Sequence, residues 1–224
     1  MHALSILVAG FTLTGLFLMT FLYAPVEATM GIVQKVFYFH VPAAYAMYLS
    51  WGICTVASIH YLAKRGEKSD MLAKSAAEVA LLFAAIVMIT GPLWGRRAWG
   101  AFWTFDPRLT ASLLFTLIIA AYLLLRTLSD GDKERRFAAA LSILGAAIVP
   151  LIHVSVDKWR GQHPVLKKGG LEMPMKVTLI LGFVAFTALA VSLLMRRYGL
   201  ERNRRRLDRL EEEADVRGIL GDGH

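Results

Sequence analysis

Six apolar runs, each about as long as a bilayer crossing, leave this chain few folds to choose from. About 20 predominantly apolar residues in helix span a hydrocarbon core of about 30 Å. Such runs lie at about residues 4–23, 41–62, 73–93, 107–125, 137–156 and 175–195. Backbone in lipid must satisfy its own hydrogen bonds, so runs of this length are helices. The expected fold is all-α: a polytopic membrane protein of six transmembrane helices in one bundle, residues 1–195. Residues 196–224 form a charged tail. The 224 residues are 56% hydrophobic, and no ordinary soluble domain is that apolar.

Connecting segments differ in character. Residues 24–39 carry Pro25, Glu27, Gly31 and Lys35, and their later part, GIVQKVFYF, is expected to lie along the interface as an amphipathic element. Pro42 falls in a first helical turn, where it is tolerated, and Pro150 is expected to kink the fifth span. The tail reads as a solvated helix with a thin stripe of Leu200, Leu207 and Leu210. The first span has no preceding Lys or Arg and no small-residue cleavage pattern, so it is expected to be a retained helix.

The formal charge of +8 does not point to nucleic acid, for which no motif is present. The basic residues sit mainly in loops and the tail, where anionic lipid headgroups are the natural partner. Six spans put both ends on one side. Placing them in the cytoplasm puts most Lys and Arg inside, though the tail supplies the excess. One cysteine, Cys54, excludes an intrachain disulfide and a Cys-x-x-Cys-His haem attachment. A nucleotide-binding Gly-x-x-x-x-Gly-Lys loop is also missing from the sequence, so the chain is not the ATPase of a transporter.

Between the third and fourth spans lies WGRRAWGAFWTFDPRLT, residues 94–110, with three of the five tryptophans. Read as a helix, it places Trp99, Phe102 and Trp103 on one face. Asp106 and Pro107 then open the next helix as N-cap and first residue. The result is a short interfacial aromatic segment on the outer side, suited to a flat conjugated ligand. An aromatic membrane belt gives the same composition.

The histidines sharpen this. His40 starts the second span and His60 ends it, and 20 helical residues cover about 30 Å, so the two lie at opposite faces. His153, near the outer end of the fifth span, shares a level with His40 and the aromatic segment, and His163 follows in the loop. Two imidazoles across a planar ligand hold haem iron from both axial sides. His40 and His153 are therefore the candidate metal ligands, with His163 a rival. Arg96, Arg97, Arg108, Lys158 and Arg160 are candidates for the propionates, and guanidinium suits a carboxylate best.

The 94–110 stretch resembles the tryptophan-rich signature of the haem-handling protein family, Trp-Gly-x-x-Trp followed by aromatics and Trp-Asp-x-Arg-Leu-Thr. With FYFHVPAAY around His40 and IHVSVDKWRGQH around His153, the chain resembles the haem exporter protein C branch, CcmC, of bacterial cytochrome c maturation. The resemblance implies haem b (iron protoporphyrin IX) held at the outer face of the bacterial cytoplasmic membrane and presented to the periplasmic haem chaperone CcmE. The small membrane protein CcmD and the ABC transporter subunits CcmA and CcmB would assist. It maps the family's histidines to His40 and His153, and its signature to Trp94, Gly95, Trp99, Trp103, Asp106 and Arg108. Phe102 and Phe105 stand where the family often has Trp and keep the ring without the indole donor. Trp159 lies in the second histidine motif. Such a protein positions haem and does little bond chemistry itself. The alternatives are a b-type cytochrome, a haem transporter through the bilayer and a scaffold without haem.

Overall fold

The computed structural model describes residues 2–128, 131–158 and 170–217, without the side chains of residues 2, 153 and 155–158. Among the described residues six α-helices follow one another: α1 (His2–Leu18, extended by a π-helical turn at Met19–Tyr23), α2 (Phe37–Lys64), α3 (Glu67–Trp99), α4 (Pro107–Leu128), α5 (Asp132–Lys158) and α6 (Met173–Val216). All but α2 hold a stretch apolar and long enough to cross a membrane. This is a polytopic all-α membrane protein.

The exception, α2, is the central helix. At 28 residues it is long enough to cross, but Ser50, Thr55, Ser58 and His60 dilute its hydropathy. It packs on α3, α5 and α6, so protein rather than lipid surrounds much of it. Tyr38, Met47, Trp51 and Cys54 are almost wholly enclosed. Polar groups on such a helix find protein partners: the Thr55 hydroxyl lies 2.9 Å from the Trp51 carbonyl and 3.2 Å from the Ser142 carbonyl on α5. Trp51 meets Phe115 and Tyr122 of α4 edge-on, each at 5.7 Å between ring centroids.

Glycines set two close approaches. A Cβ on Gly145 of α5 would stand 2.8 Å from the Trp51 ring. On Gly182 of α6 it would stand 2.8 Å from Pro42 Cγ and 3.0 Å from the Tyr38 carbonyl oxygen. Pro42 has no N–H to offer that carbonyl four residues back, so the oxygen is left over where α6 crosses. A bare Cα–H is what fits there, and it is a weak donor.

Three local expectations are corrected. The 32–36 segment is a short 3-10 turn docked into the bundle rather than an amphipathic element lying along the interface. Its Gln34 and Lys35 are buried, and the Lys35 ammonium donates to the Thr20 and Ala24 carbonyls at 2.7 and 3.2 Å, closing the end of α1. Helix α2 thus starts before Val41, and His40 sits in its first turn. The second correction concerns the aromatic segment. Helix α3 runs on to Trp99 and stops at Gly100, whose φ of 79° is left-handed and whose N–H returns to the Arg96 carbonyl at 3.1 Å. Residues 101–106 are not helical, so Trp99, Phe102 and Trp103 do not share a helix face.

The third concerns the tail. Helix α6 is 44 residues long and continues through 195–196 without a break. Its Glu201 and Arg205 are buried rather than solvated. Lys74 of α3 reaches Glu201 at 3.0 Å, and Asp70 of α3 holds both Arg205 and Arg126 of α4. Only the part beyond, with Leu207 and Leu210 exposed, resembles the solvated helix expected.

Candidate functional site

At the end of the bundle away from those ion pairs, α2, the last turns of α3 and the first turns of α4 leave a cavity of about 290 Å³. Its walls are mostly apolar: Val41 and Ala44 from α2, Val87, Met88 and Pro92 from α3, Leu109 from α4 and Phe183 from α6. The polar groups in the lining are His40, Tyr45, Tyr48, Arg108 and Ser112, with the indoles of Trp94 and Trp99. A concave apolar site with a few polar groups is the usual form of a small-molecule pocket.

His40 is buried at 7% exposure. Its Nδ1 lies 2.7 Å from the Thr90 hydroxyl of α3. Trp94 stands edge-on to it, with ring centroids 6.0 Å apart. The Trp94 indole N–H donates to the Met30 sulfur at 3.4 Å, tying the 24–36 connection over the site. Met30 is in turn fixed by Glu27, whose carboxylate accepts the backbone N–H of Met30 at 2.6 Å and of Thr29 at 2.9 Å. Those two bonds, that of Met30 first, hold the half-buried Glu27 carboxyl below its ordinary 4.5.

Gly95 serves Trp99: a Cβ there would stand 2.9 Å from the indole, so only glycine lets the ring fold back over α3. Arg96 donates to the Gly100 carbonyl and covers the Phe102 ring at 5.5 Å, which ties off the turn after α3. Asp106 is buried and caps α4 as expected: its carboxylate accepts from the N–H of Arg108 at 2.9 Å and lies 3.4 Å from that of Leu109. Among the described residues, Arg108 is the single Lys or Arg in the cavity lining.

Not every residue singled out from the sequence comes together. His40, Trp94, Trp99 and Arg108 line the cavity, and Gly95 and Asp106 support it. Trp103, Phe102 and Phe105 do not line it. Trp103 is half-buried, while Phe105 is 89% exposed. His153 is in α5, but its side chain, like all of Trp159, Arg160 and His163, lies outside the described residues. Thr90, Met30, Tyr48, Ser112 and Phe183 were not foreseen. A hydroxyl one turn before Trp94, in Thr90-Gly91-Pro92, was the one legible signal.

Comparison with known proteins agrees with this picture. A family model described as Heme exporter protein C matches residues 1–213. Heme exporter protein C of Bradyrhizobium diazoefficiens is 35% identical over 194 residues, covering 84% of this chain and 74% of that protein. The protein of the same name from Rhodobacter capsulatus is 32% identical over 86% of this chain and 82% of its own length. That of Escherichia coli is 28% identical over 82% and 78%.

Proposed function

Because the chain belongs to the heme exporter protein C family, we propose that it binds haem b at the periplasmic face of the bacterial cytoplasmic membrane and presents it to the chaperone CcmE for c-type cytochrome maturation. Both termini are then cytoplasmic. The observation that carries this reading is a buried imidazole, His40, in an apolar cavity flanked by the indoles of Trp94 and Trp99.

Haem is cargo here, and the lining has the chemistry it calls for. Imidazole suits iron. Flat indoles and aliphatic walls suit the porphyrin face. Arg108 offers a forked cation to a propionate, and its place in the lining favours it over Arg96, which is engaged at Gly100. On this reading His153 is the second imidazole ligand of the iron, and Trp159 is a further aromatic contact. Phe102 and Phe105, exposed on the turn after Trp99, form an apolar rim for the receiving protein. CcmD, CcmA and CcmB are the remaining partners. The protein does its work by orientation, holding the macrocycle while the partner's side chain meets its edge.

The test is the absorption spectrum of protein purified with native lipids, for wild type, His40→Ala and His153→Ala. Loss of the haem band and of cytochrome c assembly in both variants is expected. Retention of wild-type pigment and assembly in both overturns the reading.

A further inference from the structure

Resting on that reading of the cavity, we propose that Thr90 is the positioning residue that aims Nε2 of His40 at the haem iron and sets how firmly the iron is held. The Thr90 hydroxyl oxygen lies 2.7 Å from the Ile86 carbonyl oxygen and 2.7 Å from His40 Nδ1. A hydroxyl has one proton, and a carbonyl only accepts. Both short contacts are satisfied together in one arrangement: Thr90 donates to Ile86 and accepts from the Nδ1–H of His40. A neutral imidazole protonated at Nδ1 carries its lone pair on Nε2, and the partner of one ring nitrogen decides the role of the other.

The ring is also held sideways. A Cβ on Gly91 would come within 3.3 Å of His40 Cε1, so the imidazole lies close against α3 at Thr90-Gly91, with the Trp94 edge beyond. The hydroxyl is fixed by a backbone carbonyl one turn earlier on the same helix. The orientation of the ligand is thus built into α3 rather than into a mobile loop.

The identity of the acceptor matters as much as its position. Metal-bound histidines commonly donate to a carboxylate or a backbone carbonyl, which raises the basicity of the imidazole. Here the acceptor is a neutral hydroxyl. It fixes the tautomer while adding no negative charge to the ligand. A protein that must surrender its haem gains an aimed ligand with a moderate grip.

The experiment uses full-length protein in lipid nanodiscs loaded with haemin: wild type, Thr90→Val, Thr90→Ser, Thr90→Cys and His40→Ala. Haem loss to apomyoglobin and the reduction midpoint potential of the bound haem are read. Removing the hydrogen-bond partner of a metal-bound residue typically costs 10–100-fold in affinity. Thr90→Val is therefore expected to lose haem about 10-fold faster or more, with a shifted potential. Thr90→Ser is expected to restore both, which a merely space-filling threonine would not require. Should Thr90→Val fail to accumulate, Thr90→Cys, close in size but a weak acceptor, is expected to show the same direction of change. Wild-type rate and potential in Thr90→Val or Thr90→Cys, with His40→Ala colourless, overturn this proposal and leave the haem reading standing. Full pigment in His40→Ala instead removes the haem reading, and this proposal with it.

Discussion

The Asp70 carboxylate lies 2.6 Å from the Arg205 guanidinium, joining the first turn of α3 to α6 beyond its apolar run. The same oxygen is 2.9 Å from Arg126 of α4, and all three side chains are at least nine-tenths buried. One carboxylate therefore holds three helices together. Asp70→Asn removes this shared counter-charge from both enclosed guanidiniums, while Arg205 keeps its ion pair with Glu201 at 3.1 Å. A loss of about 3–5 kcal/mol is expected, the usual cost of removing one partner of a buried pair. Denaturant unfolding in mild detergent checks it, and adding Arg205→Leu should recover part of the loss because the two sites are coupled.

Gly182→Ala tests the α2–α6 crossing. The new methyl would meet Pro42 Cγ at 2.8 Å and the Tyr38 carbonyl at 3.0 Å, and backbone cannot move aside cheaply. An overpacking cost of about 1–3 kcal/mol is expected. Gly10→Ala, where a Cβ meets nothing within 4 Å, is the matched control and should be neutral or slightly stabilising.

Glu27 gives a pH signature. Its carboxyl is held below 4.5 in the folded protein, so its contribution is fully present above 4.5 and is lost as pH falls through the lower folded value. Comparing wild type with Glu27→Gln from pH 7 downward, the wild-type advantage should stay level to about the ordinary value and vanish below it. A constant difference at every pH would show that the charge is irrelevant.

Asp106 separates capping from chemistry. Asparagine caps a helix as well as aspartate does, while alanine costs about 1 kcal/mol. If capping α4 is its main task, Asp106→Asn should keep near-wild-type stability and haem content in the purified protein. Asp106→Ala should lower both.

Phe105 is so exposed that truncating it should not affect folding. Phe105→Ala is expected to leave stability within about 0.5 kcal/mol of wild type, as for most surface changes. On the proposed reading of CcmE as the recipient, haem transfer to it should slow in the same variant if the rim meets the chaperone. Equal transfer rates would remove Phe105 from that surface.

Much of this was written in local chemistry. Apolar runs fix helices because lipid leaves the backbone no other solution, and Asp106-Pro107 announces the start of α4 through cap rules that need no tertiary context. The aromatic segment was harder. Spacing suggested a helix through Trp103, but Gly100 accepts the left-handed conformation that ends one, and sequence periodicity is blind to which glycine does so. The tail misled for a similar reason: Glu201 and Arg205 look like solvated charges until Lys74 and Asp70, more than 120 residues away, are seen to meet them. Thr90 was legible only as a polar residue near the end of a span, since its value comes from an imidazole on another helix. The apolar run of α2 places it in the membrane without revealing that protein surrounds much of it.

The unbroken length of α6 has a mechanical consequence. At 1.5 Å per residue its 44 residues extend about 66 Å, more than twice a hydrocarbon core of about 30 Å. Phe183 in the cavity wall and Arg205 in the Asp70 clamp sit on this one rod, about 33 Å apart along its axis. Whatever protein grips the overhanging half therefore grasps the far end of a strut whose other end forms part of the pocket.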